Sequence, residues 1–428
     1  MILSIIISLA VFGSILISGL IVLDRCGLGL PDGHFRTWLY SAKRIYSGDK
    51  IQFKDCVKVC ICALAFRILI YILAGFLMCG HFSDFNGYLR MWQKWDASNY
   101  IRIAELSYNY TENGKHLTVV FFPLYSWIMR AVNMIFNNYR FTALAVSSVS
   151  YSIACGYIYA LVGDEYNKDI AMWTIIFLSI FPFSFFYGGM MTESTFLLTT
   201  AMSFYYIRRH KWYLVGILGI LSALSRLIGV FIVVPAVIEL CVQYKVFKLI
   251  KNRKIKRLFD KVIKNLMWIA LTFIGTGIYL YINYKFTGSP FKFLEYQQNQ
   301  WHHERSYFAN TLADIIGKAM SSNEDIMIRQ SIWIPSAFIF VYIILTLLYS
   351  ARRHSGVYTL YMVGYLIINC SVSWLISAPR YMSALLPMFI VTAEWTGRYR
   401  LIRYILAIFS FVFLLVYLQG YLMGKQIM

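Results

Sequence analysis

Charge is what this chain has least of. Asp, Glu, Lys and Arg make up 14% of its 428 residues, and the 20 acids are outnumbered by 40 Lys and Arg. A soluble domain carries about a quarter charged residues, so no segment reads as a water-soluble domain. Its eight cysteines are scattered, mostly inside apolar runs, as Cys60, Cys62, Cys79, Cys155, Cys241 and Cys370 are. No CxxC pair or His–Cys cluster occurs, which excludes a disulfide framework and a zinc site. His302-His303 is the only histidine pair, and adjacent positions on a helix point apart, so no metal site is expected there. Walker A, GxGxxG, GxSxG and HExxH patterns are missing. With no soluble domain there is nowhere for a nucleotide sugar to bind, so any sugar donor would arrive in the membrane, as a lipid. Aromatic residues do not interleave with basic ones as in nucleic-acid readers, so no nucleic-acid partner is expected. No internal repeat and no low-complexity segment is found.

Apolar surface is what the chain has instead: 59% hydrophobic and 18% aromatic residues. Several uncharged runs reach the roughly 20 residues that cross a bilayer, among them 1–23 and 401–422. In lipid the backbone must satisfy itself, which leaves helices or closed barrels. The runs are longer than barrel strands and do not alternate, so the expected class is all-α and polytopic, with about 11 to 13 membrane segments. Candidate spans are 1–23, 58–79, 118–136, 141–162, 170–187, 190–207, 212–226, 228–244, 265–286, 331–350, 356–377, 381–396 and 401–423. The first lacks a basic n-region and a small-x-small site, so it reads as a retained helix rather than a signal peptide.

Orientation follows from the basic connections. Segment 245–264 carries Lys245, Lys248, Lys251, Arg253, Lys254, Lys256, Arg257, Lys261 and Lys264 against Asp260 alone, which places it in the cytoplasm. Arg208-Arg209, Arg352-Arg353, Arg398 and the basic loop 24–57 fall on the same side. Loops 80–117 and 287–330 then lie outside. Seven spans separate loop 24–57 from loop 245–264, but two cytoplasmic loops need an even number. One segment therefore does not cross. The weakest is 118–136, with Pro123, Arg130 and Asn133. Segments 170–187 and 190–207 come next, weakened by Pro182, Gly188-Gly189 and Glu193. Broken helices are tolerated only against protein or a wet cavity, so a site is expected there.

Polar residues in apolar surroundings are the candidates for chemistry. Trp92, Trp95, Asp96, Asn99 and Ile103 would share one face of an amphipathic helix lying in the outer interface. That helix holds the Asp96 carboxylate at the membrane surface, and spacing alone favours a solvated acid. Proline at 123 marks a helix start. Glu193 sits between two apolar runs, where a charge costs roughly 2.5–3.5 kcal/mol. It either sits in an N-cap region, with Thr192 or Ser194 capping, or serves a function. Arg226 divides 212–244, and Arg380-Tyr381 follows Ala378-Pro379 on the same side. Each arginine either snorkels to headgroups or holds a phosphate with its planar fork. Segment 291–302, with Gln297 and Trp301, either anchors in the membrane or contacts substrate.

Taken in order, Trp95-Asp96-Ala97 with Tyr100, Phe121-Phe122-Pro123-Leu124-Tyr125, Pro182 to Tyr187, Thr192-Glu193-Ser194, Ser225-Arg226 with Gly229, Gly288-Ser289-Pro290-Phe291 with Gln297 and Trp301, and Arg380-Tyr381 resemble the PIG-V family of mannosyltransferases. The resemblance spans residues 84–387. It implies a GT-C membrane fold and a lipid-phosphate sugar donor, polyprenyl- or dolichyl-phosphate mannose. It also implies a lipid or glycan acceptor on the extracytoplasmic face. The family's essential acid in the first outer loop corresponds to Asp96, which moves Asp96 from solvated acid to catalytic candidate. The Trp-Cys and Tyr-Trp-Asn signatures of the eukaryotic GPI enzymes are missing, and the Gly-Ser-Pro-Phe loop is closer to the bacterial branch. The expected division is 1–57 as an added helix and basic loop, and 58–428 as one GT-C-like domain. The expected membrane is a bacterial plasma membrane, or the endoplasmic reticulum in a eukaryote.

The resulting expectation is an inverting transferase with Asp96 as base. Tyr100, Glu193, Arg226, Arg380, Tyr381, Gln297 and Trp301 would bind substrate. Arginines can neutralise the leaving phosphate, so no cofactor is called for, and a divalent metal is left open. A lipid or glycolipid flippase is the second reading, favoured by Glu193 and the broken helices and disfavoured by the lack of a repeat. A membrane scaffold is the third.

Overall fold

The computed structural model describes residues 1–42, 46–302, 304–354 and 356–427. His303 of the histidine pair, and Lys43 and Arg44 of loop 24–57, lie outside the described residues. Among the described residues the elements are all helices, with no strand and only the isolated bridges Glu112 to Lys115 and Arg305 to Val372. Among the described residues seven helices are long and apolar enough to cross a membrane: Ile2–Arg25, Phe53–Leu77, Tyr139–Glu165, Leu227–Tyr244, Ile255–Thr287, Ile326–Ser350 and Arg400–Leu422. Trp212–Ser225 and Val357–Cys370 are shorter apolar helices. The fold is thus an all-α, multi-pass membrane protein.

The basic connections gather at one end, as the positive-inside bias requires. Phe247 N donates to Cys26 O at 3.0 Å, which joins loop 24–57 to loop 245–264. Asp49 N bonds Gly163 O at 2.9 Å. The Arg352 guanidinium lies 4.0 Å from the centre of the Trp38 ring. Charged side chains tie the helix ends together there. Arg208 bridges Glu165 and, at 2.7 Å, Glu239; Glu394 accepts from Tyr46 at 2.7 Å and Tyr349 at 2.6 Å. The N-terminal helix runs through the bundle from the opposite end. Ser4 Oγ donates to Asn310 at 2.6 Å, and Ser18 Oγ bonds Ala351 O at 3.3 Å.

The parity conflict is resolved by Leu124–Phe136, which stays at the end opposite the basic loops. At Asn137, whose backbone is left-handed (φ 49°), the chain turns straight into Tyr139–Glu165. Tyr125 OH then bonds Ala143 O at 2.9 Å, and Arg130 Nε bonds Ala104 O at 2.6 Å. The helix is therefore held among the segments at the end opposite the basic loops.

Lys168–Ile180 and Glu193–Arg208 form a broken hairpin that leaves the basic end and returns to it. Its tip, 181–192, is irregular backbone enclosed by protein, the condition under which such backbone survives at membrane depth. Arg67, in the middle of Phe53–Leu77, supplies much of the support. Its guanidinium donates to Ser184 O at 2.6 Å and Ser179 O at 2.8 Å, and lies over the Tyr151 ring at 4.5 Å. Tyr71 OH donates to Gly188 O at 2.6 Å. A fixed cation thus meets the carbonyls at the C-terminal end of a helix, where the dipole favours positive charge.

Candidate functional site

Four ionisable side chains from four distant segments meet near the tip of that hairpin. Arg380 sits at the centre and is almost fully buried. Its Nη1 donates to Asp96 Oδ2 at 2.8 Å, and its Nε donates to Glu193 Oε1 at 2.6 Å. Arg226 Nη1 reaches the same Glu193 oxygen at 3.2 Å. Two carboxylates and two guanidiniums balance in formal charge, which is how a buried ionic group is tolerated. Asp96 is the member most open to its surroundings, with 29% of its side chain exposed against 0% for Glu193.

Asp96, Glu193 and Arg226 stand at helix ends or breaks, and Arg380 lies within the short helix Ala378–Ser383. Asp96 follows a break between Phe85–Trp92 and Ala97–Leu106. The continuous amphipathic helix expected from the spacing of Trp92, Trp95, Asp96, Asn99 and Ile103 does not form. Trp95 takes a left-handed backbone (φ 51°), rare for a bulky residue and worth about 1–3 kcal/mol of strain. Trp92 is fully buried rather than at headgroup depth; its ring packs on Tyr71 and Tyr421. Glu193 is the first residue of its helix, but neither expected cap is used. Thr192 makes no side-chain cap, and Ser194 Oγ turns back to Tyr187 O at 2.5 Å. Arg226 is extended (φ −157°) between Trp212–Ser225 and the 3₁₀ turn Leu227–Ile232. That turn lies so close to the preceding helix that a Cβ on Gly229 would collide with Ser222 O. Neither arginine snorkels to headgroups; both are inside and paired.

Aromatic rings enclose the charges. The Arg226 guanidinium lies 5.0 Å from the Tyr381 ring centre, and that of Arg380 lies 5.4 Å from the Phe186 ring, positions that favour a cation. Tyr365 OH fixes the Tyr381 carbonyl at 2.8 Å. Tyr187 OH donates to the carbonyl of Ser383, joining the hairpin tip to Ala378–Ser383. Tyr100 is edge-on to Phe121 and Tyr125, with centroids 5.3 and 5.6 Å away, and Trp301 meets the far side of Phe121 at 6.1 Å. Burial pushes the Tyr100 hydroxyl above its usual range. Gln297 lies on the same helix as Trp301, Lys292–Trp301. Among the described residues its side chain has no hydrogen bond to the four charged groups.

Sequence reasoning missed Arg67, Tyr365 and Tyr421, which brace the site, and gave Phe186 only as part of the Pro182 to Tyr187 motif. A lone arginine inside the run 58–79 was the available signal for Arg67. Tyr365 and Tyr421 had none, because their neighbours here come from remote segments. A surface concavity of about 600 Å³, lined by His81, Phe82, Arg90 and Lys94 among others, opens beside the Asp96 segment. None of the four network residues lines it. Among the described residues no group of three or more His, Cys, Asp or Glu side chains converges as metal ligands would.

An acid accessible beside two phosphate-matching guanidiniums, in a low-dielectric membrane protein, can accept a proton while a neighbouring anion is stabilised. No curated protein and no solved structure matches the chain. Residues 122–279, which contain Glu193 and Arg226 but not Asp96 or Arg380, match the family of dolichyl-phosphate-mannose-protein mannosyltransferases. That similarity supports a membrane glycosyltransferase of GT-C type that draws on a lipid-phosphate sugar.

Proposed function

We propose that the chain is an inverting glycosyltransferase. It moves mannose, or another hexose, from a polyprenyl- or dolichyl-phosphate donor to a lipid-linked or glycan acceptor on the extracytoplasmic face. The observation that carries this reading is the ionic chain Asp96–Arg380–Glu193–Arg226. In the reaction an acceptor hydroxyl attacks C1 of the sugar. The new C1–O bond forms as the bond from C1 to the phosphate oxygen breaks. Asp96 takes the hydroxyl proton, and the phosphate leaves with the bonding electrons. Arg226 and Arg380 meet the negative charge that grows on that phosphate, where stabilisation acts on the transition state more than on the bound substrate. Glu193 holds both guanidiniums at one oxygen. Tyr100, Tyr381, Gln297 and Trp301 are assigned to sugar and lipid contacts.

Within the transferases, the ordered motifs favour a PIG-V-type enzyme similar to GPI mannosyltransferase II, in its bacterial-type branch, with residues 58–428 as the transferase domain and 1–57 as an addition. A flippase is the alternative, which the broken hairpin at Glu193 favours. Purified protein in detergent separates the two, because transport has no meaning without a sealed compartment. Radiolabelled polyprenyl-phosphate mannose and a lipid extract of the source cell should yield a new labelled product. No transfer with several sugars and extracts would leave the flippase.

A further inference from the structure

We infer that residues 421–427 act as a strap that positions Asp96, and that Trp95 and Tyr421 are its two fastenings. The inference rests on the reading of Asp96 as the base.

Arg400–Leu422 ends in a turn written in its own sequence. Lys425 N donates to Gly420 O at 2.9 Å and Gly424 N to Tyr421 O at 3.0 Å, the paired bonds of a Schellman stop. Gly424 occupies the left-handed position that this stop needs (φ 73°). The chain therefore folds back, and Ile427 is buried. Its side chain lies on Gly420, where a Cβ would collide with Ile427 Cδ1.

The last turn of Arg400–Leu422 and the returning segment hold the two ends of the break that carries Asp96. Tyr421 OH donates to Trp92 O at 3.0 Å, at the end of Phe85–Trp92. Trp95 Nε1 donates to Ile427 O at 3.0 Å, one residue before Asp96. Trp95 is the residue with the left-handed backbone, and such a conformation persists only where its surroundings over-determine it. The indole bond to Ile427 and the Tyr421 bond to Trp92 supply that constraint. Tyr421 also packs on Phe185 and Phe186, and Phe186 lies against Arg380. One tyrosine thus braces both halves of the Asp96–Arg380 pair. Neither Trp95 nor Tyr421 reaches the reacting atoms; both act through the placement of the Asp96 carboxylate.

The test uses the full-length protein in detergent with polyprenyl-phosphate mannose and lipid extract. Trp95→Phe and Tyr421→Phe remove one donor each and keep an aromatic ring. Each should lower kcat by about 10- to 100-fold, the loss that a misplacement near 1 Å produces, with donor KM and thermal midpoint unchanged. The double variant should be little worse than either single one, since both bonds hold one turn. Wild-type kcat in both variants, or a loss that follows a lowered thermal midpoint, would overturn the strap. Asp96→Asn, measured in parallel, keeps the two readings apart. If it retains full activity, the base assignment fails on that result, whatever the strap variants do.

Discussion

Arg380 Nη1 and Asp96 Oδ2 are 2.8 Å apart in space and 284 residues apart in sequence. The pair closes the break before Ala97–Leu106 onto Ala378–Ser383, and through Arg380 Nε onto the tip of the central hairpin. A planar fork serves both carboxylates at once. Lysine offers a single point charge and cannot do the same. Arg380→Lys should therefore lower transfer by about 100-fold or more while the charge is kept. Steady-state kinetics in detergent check this, and near-wild-type kcat would mean that only the charge matters.

Glu193 carries two guanidiniums on one oxygen and is fully buried. Removing one partner of a buried ion pair costs about 3–5 kcal/mol, because the remaining charge is left uncompensated. Glu193→Gln should lower the thermal midpoint and abolish transfer together. Scanning fluorimetry alongside the transfer assay reads both, and an unchanged midpoint would contradict the account of Glu193 as the holder of both arginines.

Arg67 is held by two carbonyls at the hairpin tip. Hydrogen bonds to a charged group contribute about 1.5–3 kcal/mol each. Arg67→Met should destabilise the protein by about 3 kcal/mol in thermal or denaturant unfolding, and Arg67→Lys should not restore it. A stable, active Arg67→Met protein would show that the tip stands without this prop.

Gly229 lies where a methyl group would run into the Ser222 carbonyl. Backbone on both sides leaves no flexible end to yield. Gly229→Ala should cost about 1–3 kcal/mol from overpacking and displace Arg226. Thermal unfolding and donor KM are the measurements, and wild-type values for both would contradict the close approach.

Much of this was legible in the sequence, for reasons that particular residues make plain. The span pattern and the basic end follow from hydropathy and from the lysines of 245–264, both of which are local signals. Asp96, Glu193, Arg226 and Arg380 stood out because charge in apolar sequence is expensive. Their mutual contact was not readable, since it depends on the packing of four segments remote from one another in sequence. The helix expected through Trp92 and Asp96 failed because periodicity does not register a turn held from outside. Trp95 adopts its conformation with the help of Ile427, 332 residues away. The odd span count says only that one segment fails to cross; it was Pro123, Arg130 and Asn133 that made 118–136 the weakest candidate, ahead of 170–187 and 190–207.

The most direct test of the site is the transfer of radiolabelled mannose from its polyprenyl phosphate by wild-type protein and by Asp96→Asn, purified and assayed side by side. Removing a positioned base typically costs about 10²–10⁴-fold. The account predicts a new labelled product with wild type, and at least a hundredfold less with Asp96→Asn at an unchanged thermal midpoint. Full transfer by Asp96→Asn would contradict it.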